Sequence, residues 1–496
     1  MSTRAVILLL ILSFVCGWLA AQNAYERSFT LNEVIEYAQN NSPQALIARH
    51  NFRASYWDYK SIEANYLPLL NLYGTLGGFD RSLTAVQNSE TGQLNYVSNN
   101  NMRNSMTLSA SQRIPLTGGT LSVYSRIDRL DQFSPINKLT YNSQPINVSY
   151  IQPLRGFNPF KWDKRIGSAE YERAKREYLE AMEYITLEAT NYFYVLLLAQ
   201  KRLEIARKNY ANTTQMLNIA NERFSIGGTP RSEILQLELR LINDGIAIND
   251  NNLTLEQARF AMRSFLGLND MVNLAMEVEE GVPDVTLNYY EVLSFAEKNS
   301  SFSLRQEIAL MNARMAVERA QADRGFNANI DMRFGLTQQG DSFLNSLRNP
   351  RDLEIISLGF SLPLLDWGRS RGRVRMAQSR EEVARTQADL AESDFRQRLM
   401  ISVMQFNQQS NQYSLAMRAD AVANERYEIT LERFANGTVN VLELNTAQSE
   451  KDNAVVRSIT EQYNFWRYYY TIRQYTLYDF IDKFDISAEF DTLIEN

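Results

Sequence analysis

Apolar and polar positions along this chain follow two different periods, each confined to its own stretches. In Ile356-Ser357-Leu358-Gly359-Phe360-Ser361-Leu362-Pro363-Leu364 every even position is apolar and every odd one is small, polar or Pro. Ile330, Met332, Phe334 and Leu336 alternate with Asn329, Asp331, Arg333 and Gly335, and Ile146, Val148 and Tyr150 alternate with Asn147 and Ser149. Successive side chains of a strand point to opposite faces, so this period predicts strands with one apolar and one wet face. Elsewhere the period is helical. Ser168 to Ile226 and Arg373 to Asn436 contain neither Gly nor Pro, enough chain for helices of roughly 90 and 95 Å. Within the second, Ala384, Ala388, Ala391, Phe395, Leu399, Val403, Phe406, Ser410, Tyr413 and Met417 recur at steps of three or four. Such a stripe faces a partner helix, and helices this long suit a coiled coil better than one globular core.

The chain also repeats itself. At an offset of 258, Glu33, Val34, Ala38, Asn41 and Ser42 match Glu291, Val292, Ala296, Asn299 and Ser300. At an offset of 210, Pro153-Leu154 matches Pro363-Leu364, Glu222-Arg223-Phe224 matches Glu432-Arg433-Phe434, Gly227 matches Gly437 and Glu233 matches Glu443. Two internal repeats are expected, each reading helix, β-region, long helix, tip, helix. The first repeat spans 22–280, with strands over about 66–155, a long helix over 162–226 and a returning helix over 231–268. The second spans 281–485, with strands over about 328–365, a long helix over 369–436 and a returning helix over 440–482; residues 486–496 form a C-terminal tail. The change of offset leaves 48 extra residues in the first repeat, between about Tyr73 and Tyr150. Met106 to Leu116, the turn Thr117-Gly118-Gly119-Thr120 and the run beginning Leu121, Val123, Ile127 predict one added hairpin there, making six strands instead of four, with a globular loop as the competing account.

Composition narrows the setting. Arg4, then an apolar run from Ala5 to Leu19 broken only by Ser13, then Ala20-Ala21 before Gln22, reads as a secretory signal peptide over 1–21. The only cysteine, Cys16, lies inside it, and Val15 makes Ser13-Phe14-Val15 a poor lipidation signal. A mature chain would hold no thiol, which excludes disulfides, cysteine nucleophiles and cysteine metal sites. His50 is the only histidine, with no second His or Cys to share a metal and no nucleophile elbow or phosphate loop beside it; a structural role is expected. The formal charge of −6 carries no footprint for nucleic acid. Beyond the signal no apolar run is long enough to span a bilayer as a helix, so entry into a membrane requires a closed barrel.

Repeated halves, Pro-Leu at the end of a strand, and a long helix ending in Arg-Phe-x-x-Gly together resemble the TolC family of outer-membrane efflux proteins. The similarity covers about Phe29 to Phe480 and is strongest from Glu432 to Gln448, Glu-Arg-Phe-Ala-Asn-Gly-Thr-Val-Asn-Val-Leu-Glu-Leu-Asn-Thr-Ala-Gln. The resemblance implies a mixed fold: a long α-helical coiled-coil barrel forming a periplasmic tunnel, plus a transmembrane β-barrel shared by a homotrimer. It implies an outer-membrane exit duct of a tripartite efflux or type I secretion system, passive and without catalytic site, metal or cofactor. Its partners would be outer-membrane lipid, a periplasmic adaptor (membrane-fusion) protein and an inner-membrane RND or ABC pump. The tip residues Gly227, Gly228, Thr229, Gly437, Thr438 and Val439 would then contact the adaptor, and Glu443 and Glu233 become candidates for a carboxylate ring at the periplasmic gate. Thr446 departs from the pattern, standing where relatives often carry a second acid, and Glu443 replaces the usual Asp. The competing readings are a periplasmic coiled-coil adaptor or scaffold, and a secreted enzyme using paired carboxylates. The dense aromatics Tyr463, Phe465, Trp466, Tyr468, Tyr469, Tyr470, Tyr475 and Tyr478 are read as helix-packing core in preference to an interfacial belt.

Overall fold

The computed structural model describes residues 26–87, 92–134, 136–225, 228, 230–269, 273–278 and 281–495. The expected signal peptide lies outside these residues, as do the tip positions Gly227 and Thr229. In chain order the elements are β1 (Glu26–Phe29), α1 (Leu31–Asn41), α2 (Pro43–Ala64), β2 (Leu69–Gln87), β3 (Leu94–Ile114), β4 (Gly119–Ser134), β5 (Lys138–Arg155), α3 (Pro159–Ser225) and α4 (Arg231–Leu266). There follow β6 (Asn273–Met276), α5 (Tyr289–Asn299), α6 (Ser301–Arg324), β7 (Asn327–Gly340), β8 (Arg351–Ser361), α7 (Arg369–Ala435), α8 (Val441–Thr476), β9 (Tyr478–Asp479), β10 (Phe484–Asp485) and α9 (Phe490–Glu495). They fall into two compact units, one of Met1–Arg53, Lys175–Ser303 and Glu392–Asn496, the other of Ala54–Ala174 and Leu304–Ala391; α3 and α7 lend residues to both.

The first unit is helical. Its short helices start on side-chain caps: the Thr30 hydroxyl accepts from the Glu33 amide while Glu33 accepts from the Thr30 amide, and the Asn288 side chain accepts from the Tyr290 amide at 2.9 Å. Each cap satisfies amides that a helix start leaves without a partner. The core is built from aromatics on the long helices. Phe193, Leu196 and Leu197 on α3, Phe265 on α4, Leu399 and Phe406 on α7, and Phe465 and Tyr469 on α8 are all buried in one cluster. Phe406 and Phe465 lie 5.0 Å apart between ring centres, and each such side chain is worth about 1.5–3 kcal/mol of burial. The aromatics of α8 are thus packing residues. The α7 stripe holds from Ala388 through Phe395, Leu399 and Val403 to Phe406, all buried, but then slips: Gln409 and Ala416 are buried and Met417 is exposed. Gln409 is admitted because its amide donates to the Glu461 carboxylate (2.7 Å) and carbonyl (3.0 Å), satisfying a polar group that burial would otherwise penalise.

Three local features differ from the pattern reading. The last long helix stops at Thr476 and not near residue 482, because Leu477 takes a left-handed conformation (φ 48°), with its amide donating to the Arg473 carbonyl. Asp479 then accepts from the amides of Ile481 and Asp482, both at 3.0 Å, closing a turn where helix was expected. The tail is ordered as α9, whose Phe490 packs on Phe52 at 5.2 Å. A parallel pair, β1 with β6, has no counterpart in the sequence reading.

The second unit carries a six-stranded sheet in the order β2-β3-β4-β5-β7-β8, every neighbouring pair antiparallel. Gly118 (φ 74°) closes the β3–β4 turn, its amide donating to the Ile114 carbonyl at 2.9 Å; a Cβ would be strained there. β3 therefore ends at Ile114, two residues before the expected Leu116, and reaches back through the Asn-rich Ser98–Asn101 segment. The segments around the sheet have their own small core, in which Trp162 donates its indole N–H to Glu318 at 3.0 Å beside buried Ile308 and Met311.

Candidate functional sites

Register decides which side chains share a face of the sheet. The pairs Leu72–Leu108, Ala110–Val123, Met106–Ile127, Val123–Val148, Val148–Phe334, Tyr150–Met332, Met332–Ile356 and Ile330–Leu358 run across all six strands. Because partners in a ladder project to one side, these residues form one continuous apolar band. Leu72, Met106, Leu108, Val123, Val148, Phe334, Ile356 and Leu358 in it are exposed. The opposite face pairs Ser105 with Asp128, Thr107 with Arg126, Ser109 with Tyr124 and Ser149 with Arg333. Its charges are balanced locally: Arg126 binds Asp128 at 2.8 Å and Arg333 binds Asp331 at 3.0 Å. A water-soluble sheet buries such a band; here it is left open, which marks an interaction surface. The shortest of the six strands in this sheet has 11 residues, and about 9–11 suffice to cross a bilayer. Among the described residues no helix is long and apolar enough to do so.

The second site is the pair of tips in the helical unit. α7 ends with Gly437 at φ 76°, the Gly437 amide donating to the Phe434 carbonyl (3.0 Å) and the Thr438 amide to the Arg433 carbonyl (3.0 Å). This is a left-handed cap that satisfies the last carbonyls of a helix. At the other tip the Gly228 amide donates to the Arg223 carbonyl at 2.8 Å. Pro230 occupies the N-cap position of α4, which begins at Arg231 as its expected range does. Glu443 and Glu233 both lie in the first turn of a returning helix, where a carboxylate is favoured by the dipole whatever else it does. Glu443 is exposed, its amide donating to the Asn440 side chain (2.9 Å) and its carboxylate lying 3.8 Å from Arg433. Thr438 and Val439 flank Gly437 on the same loop, and Val439 packs partly against the tip core of Met216, Ile234, Leu237, Tyr427, Phe434 and Leu444.

Sequence reading missed what joins the tips. Arg223 crosses from the end of α3 to that of α7, its guanidinium donating to the carbonyls of Phe434 (2.8 Å) and Ala435 and lying 5.6 Å from the centre of the Phe434 ring. A cation at a helix C-terminus meets the negative end of its dipole. Behind it, Asn212 donates to the Tyr427 hydroxyl at 2.9 Å, Asn209 donates to Asp452 at 2.7 Å and accepts from Gln448, and Arg240 donates to Asn445. Burial pushes the Asp452 carboxyl up and the Lys451 ammonium down. The one available signal was that Arg223 sits in the repeated Glu-Arg-Phe. Charge-assisted bonds of this kind are worth about 1.5–3 kcal/mol. Arg223→Ala is therefore expected to speed amide exchange at Gly437 and Thr438 by about tenfold or more; exchange unchanged there would show that the clamp carries no load.

The chain thus combines long helices with a six-stranded antiparallel sheet that leaves an apolar band open. No protein-family model matches the chain, and no curated protein does. Solved structures do. The CmeC outer-membrane channel of Campylobacter jejuni superposes with a TM-score of 0.66 at 15% identity, over 94% of this chain and 88% of its own. The channel OprN gives 0.64 at 15% over 90% and 89%, and VceC of Vibrio cholerae gives 0.62 at 14% over 90% and 95%. The fold is that of the outer-membrane efflux channels, in keeping with the resemblance to the TolC family.

Proposed function

We propose that the protein is an outer-membrane exit duct, a transport protein and not an enzyme, built from two copies of one unit. The observation that carries this reading is the apolar band crossing all six strands opposite a polar, ion-paired face. Lipid tolerates no unpaired sheet edge, and β2 and β8 end the sheet without a further partner strand among the described residues. Further copies of the chain would supply the missing neighbours, and a homotrimer would close a barrel of eighteen strands around the polar face. The duplication is supported by equal lengths: α3 and α7 have 67 residues each, α4 and α8 have 36 each, and α1 and α5 have 11 each. The tips then serve as the periplasmic end, where by resemblance an adaptor of an inner-membrane RND or ABC pump docks at Gly227, Gly228, Thr229, Gly437, Thr438 and Val439. Glu443, exposed on the second tip, would form a ring of three carboxylates that favours cations, with Glu233 behind it.

The test uses the purified protein in detergent and in planar bilayers. It is expected to have the native mass of three chains and to conduct, and Glu443→Gln is expected to lower cation selectivity and block by divalent ions. Release from membranes by salt alone, as a monomer, would overturn the duct in favour of a periplasmic scaffold. Selectivity and block unchanged in Glu443→Gln would remove the gate role while leaving the duct.

A further inference from the structure

The duplicated unit makes a specific demand at the tips, because only half of the contacts it implies are made inside one chain. Each contact joining the α3–α4 hairpin to the α7–α8 hairpin has a counterpart at the 210-residue offset. Arg223 on Phe434 corresponds to Arg433 on Phe224. Phe434 is 2% exposed beneath the Arg223 guanidinium, whereas Phe224 is 46% exposed. Arg433 is likewise exposed, and among the described residues its side chain pairs with Glu443, at 3.8 Å. The hydrogen bond between Asn212 and Tyr427 corresponds to Val422 facing Leu217. The bonds of Asn209 to Asp452 and of Arg240 to Asn445 correspond to Ala419 facing Ile242 and Glu450 facing Leu235. Val422, Ile242 and Leu235 are all exposed in the single chain. Of the positions that quasi-equivalence pairs across a second seam, Phe224, Val422, Ile242 and Leu235 are thus large apolar groups left in water. Leu217 is partly buried, and Glu450 and Glu238 (the counterpart of Gln448) are charged, Glu450 binding Arg426 of its own chain.

We propose that this second seam is filled by another copy of the chain, with Arg433 clamping the partner's Phe224 and the C-terminal carbonyls of the partner's α3. Behind the clamp, Val422 and Ala419 pack against the partner's Leu217, Leu235 and Ile242. The seam within a chain is held by hydrogen bonds; the seam between chains is mainly apolar, with Arg433 at its end and Glu450, held by Arg426 of its own chain, facing the partner's Leu235. Cation and helix end are complementary in charge, as they are at Arg223, and the seam continues around the assembly the interface already present inside the chain. The inference rests on the trimeric duct reading and adds to it the residues that join neighbouring tips.

The test is thiol cross-linking in a Cys16→Ser background, using a bis-maleimide of about 10 Å reach, longer than a disulfide can span. The pair Val422→Cys with Leu217→Cys is expected to give covalent dimers and trimers on a denaturing gel, and each single variant none. The in-chain counterpart, Tyr427→Cys with Asn212→Cys, is expected to give only monomer of altered mobility. A protein of three-chain native mass that yields no interchain product from Val422→Cys with Leu217→Cys would overturn the seam and leave the duct standing; a monomeric native mass would overturn the duct itself. If the double variant does not assemble, Arg433→Ala decides. Faster exchange of the Gly228 amide at the α3 end supports the clamp, and exchange unchanged there refutes it.

Discussion

Arg473→Met is expected to cost the helical unit about 3–5 kcal/mol, the usual penalty for leaving a buried charge without its partner. Arg473, on the last turn of α8, donates to both carboxylate oxygens of Glu183 on α3, at 2.6 and 2.9 Å, and to Asp479 at 2.7 Å. Glu183 is only 2% exposed. Burial pushes its carboxyl up, and Arg473 holds it back. Burial also works against the Asp479 charge, but the Asp482 amide, the Tyr469 hydroxyl and Arg473 outweigh it and hold that carboxyl below the usual range. The arginine thus ties α3, α8 and the turn after α8 into one unit. Met keeps most of the side-chain volume and removes the charge, so the loss reports electrostatics more than packing. Adding Glu183→Gln to Arg473→Met is expected to recover part of it, since the orphaned carboxylate goes too. Urea unfolding followed by circular dichroism measures both; a loss below about 1 kcal/mol in Arg473→Met would contradict the argument.

Leu358→Arg is expected to abolish or sharply reduce stable insertion into the outer membrane, while Ser357→Arg, one residue away, is tolerated. Leu358 is 64% exposed and pairs with Ile330 on the apolar face; Ser357 pairs with Asp331 on the other. In water, arginine for an exposed leucine costs almost nothing. In the proposed trimeric barrel it would face lipid, where it costs about 2–4 kcal/mol near the bilayer centre, and all three copies would carry it. At position 357 the new arginine would meet an aspartate. Membrane fractionation and the yield of heat-modifiable oligomer distinguish the two outcomes. Equal behaviour of both variants would place the band in a soluble interface.

Much of this architecture was legible along the chain. Beyond Gly167 and Gly372 neither long helix contains a breaker, and alternation at 330–336 and 356–362 could be satisfied only by strands, since a period of two puts every apolar side chain on one face. The tips were legible because Gly437 needs a left-handed conformation. β2 and the outer half of β3 were less so. Gly74, Gly77 and Gly78 interrupt the alternation in β2, where the ladder shifts register between Thr75 and Gly78. Ser98–Asn101 has the composition of a loop and becomes strand because Asn99, Asn100 and Asn101 pair with Ser82, Arg81 and Asp80.

Local chemistry thus determined the elements, their order and which face of each is apolar, because period, breakers and caps act within a few residues. Partners were decided in three dimensions. That β5 pairs with β7, that Arg473 finds a glutamate 290 residues away, and that Arg223 closes the other tip while its counterpart Arg433 does not, are all long-range. An arginine in a repeated Glu-Arg-Phe is the same in both copies by sequence. Only the packing of one hairpin against the other gives the first a helix end to bind and leaves the second facing outward.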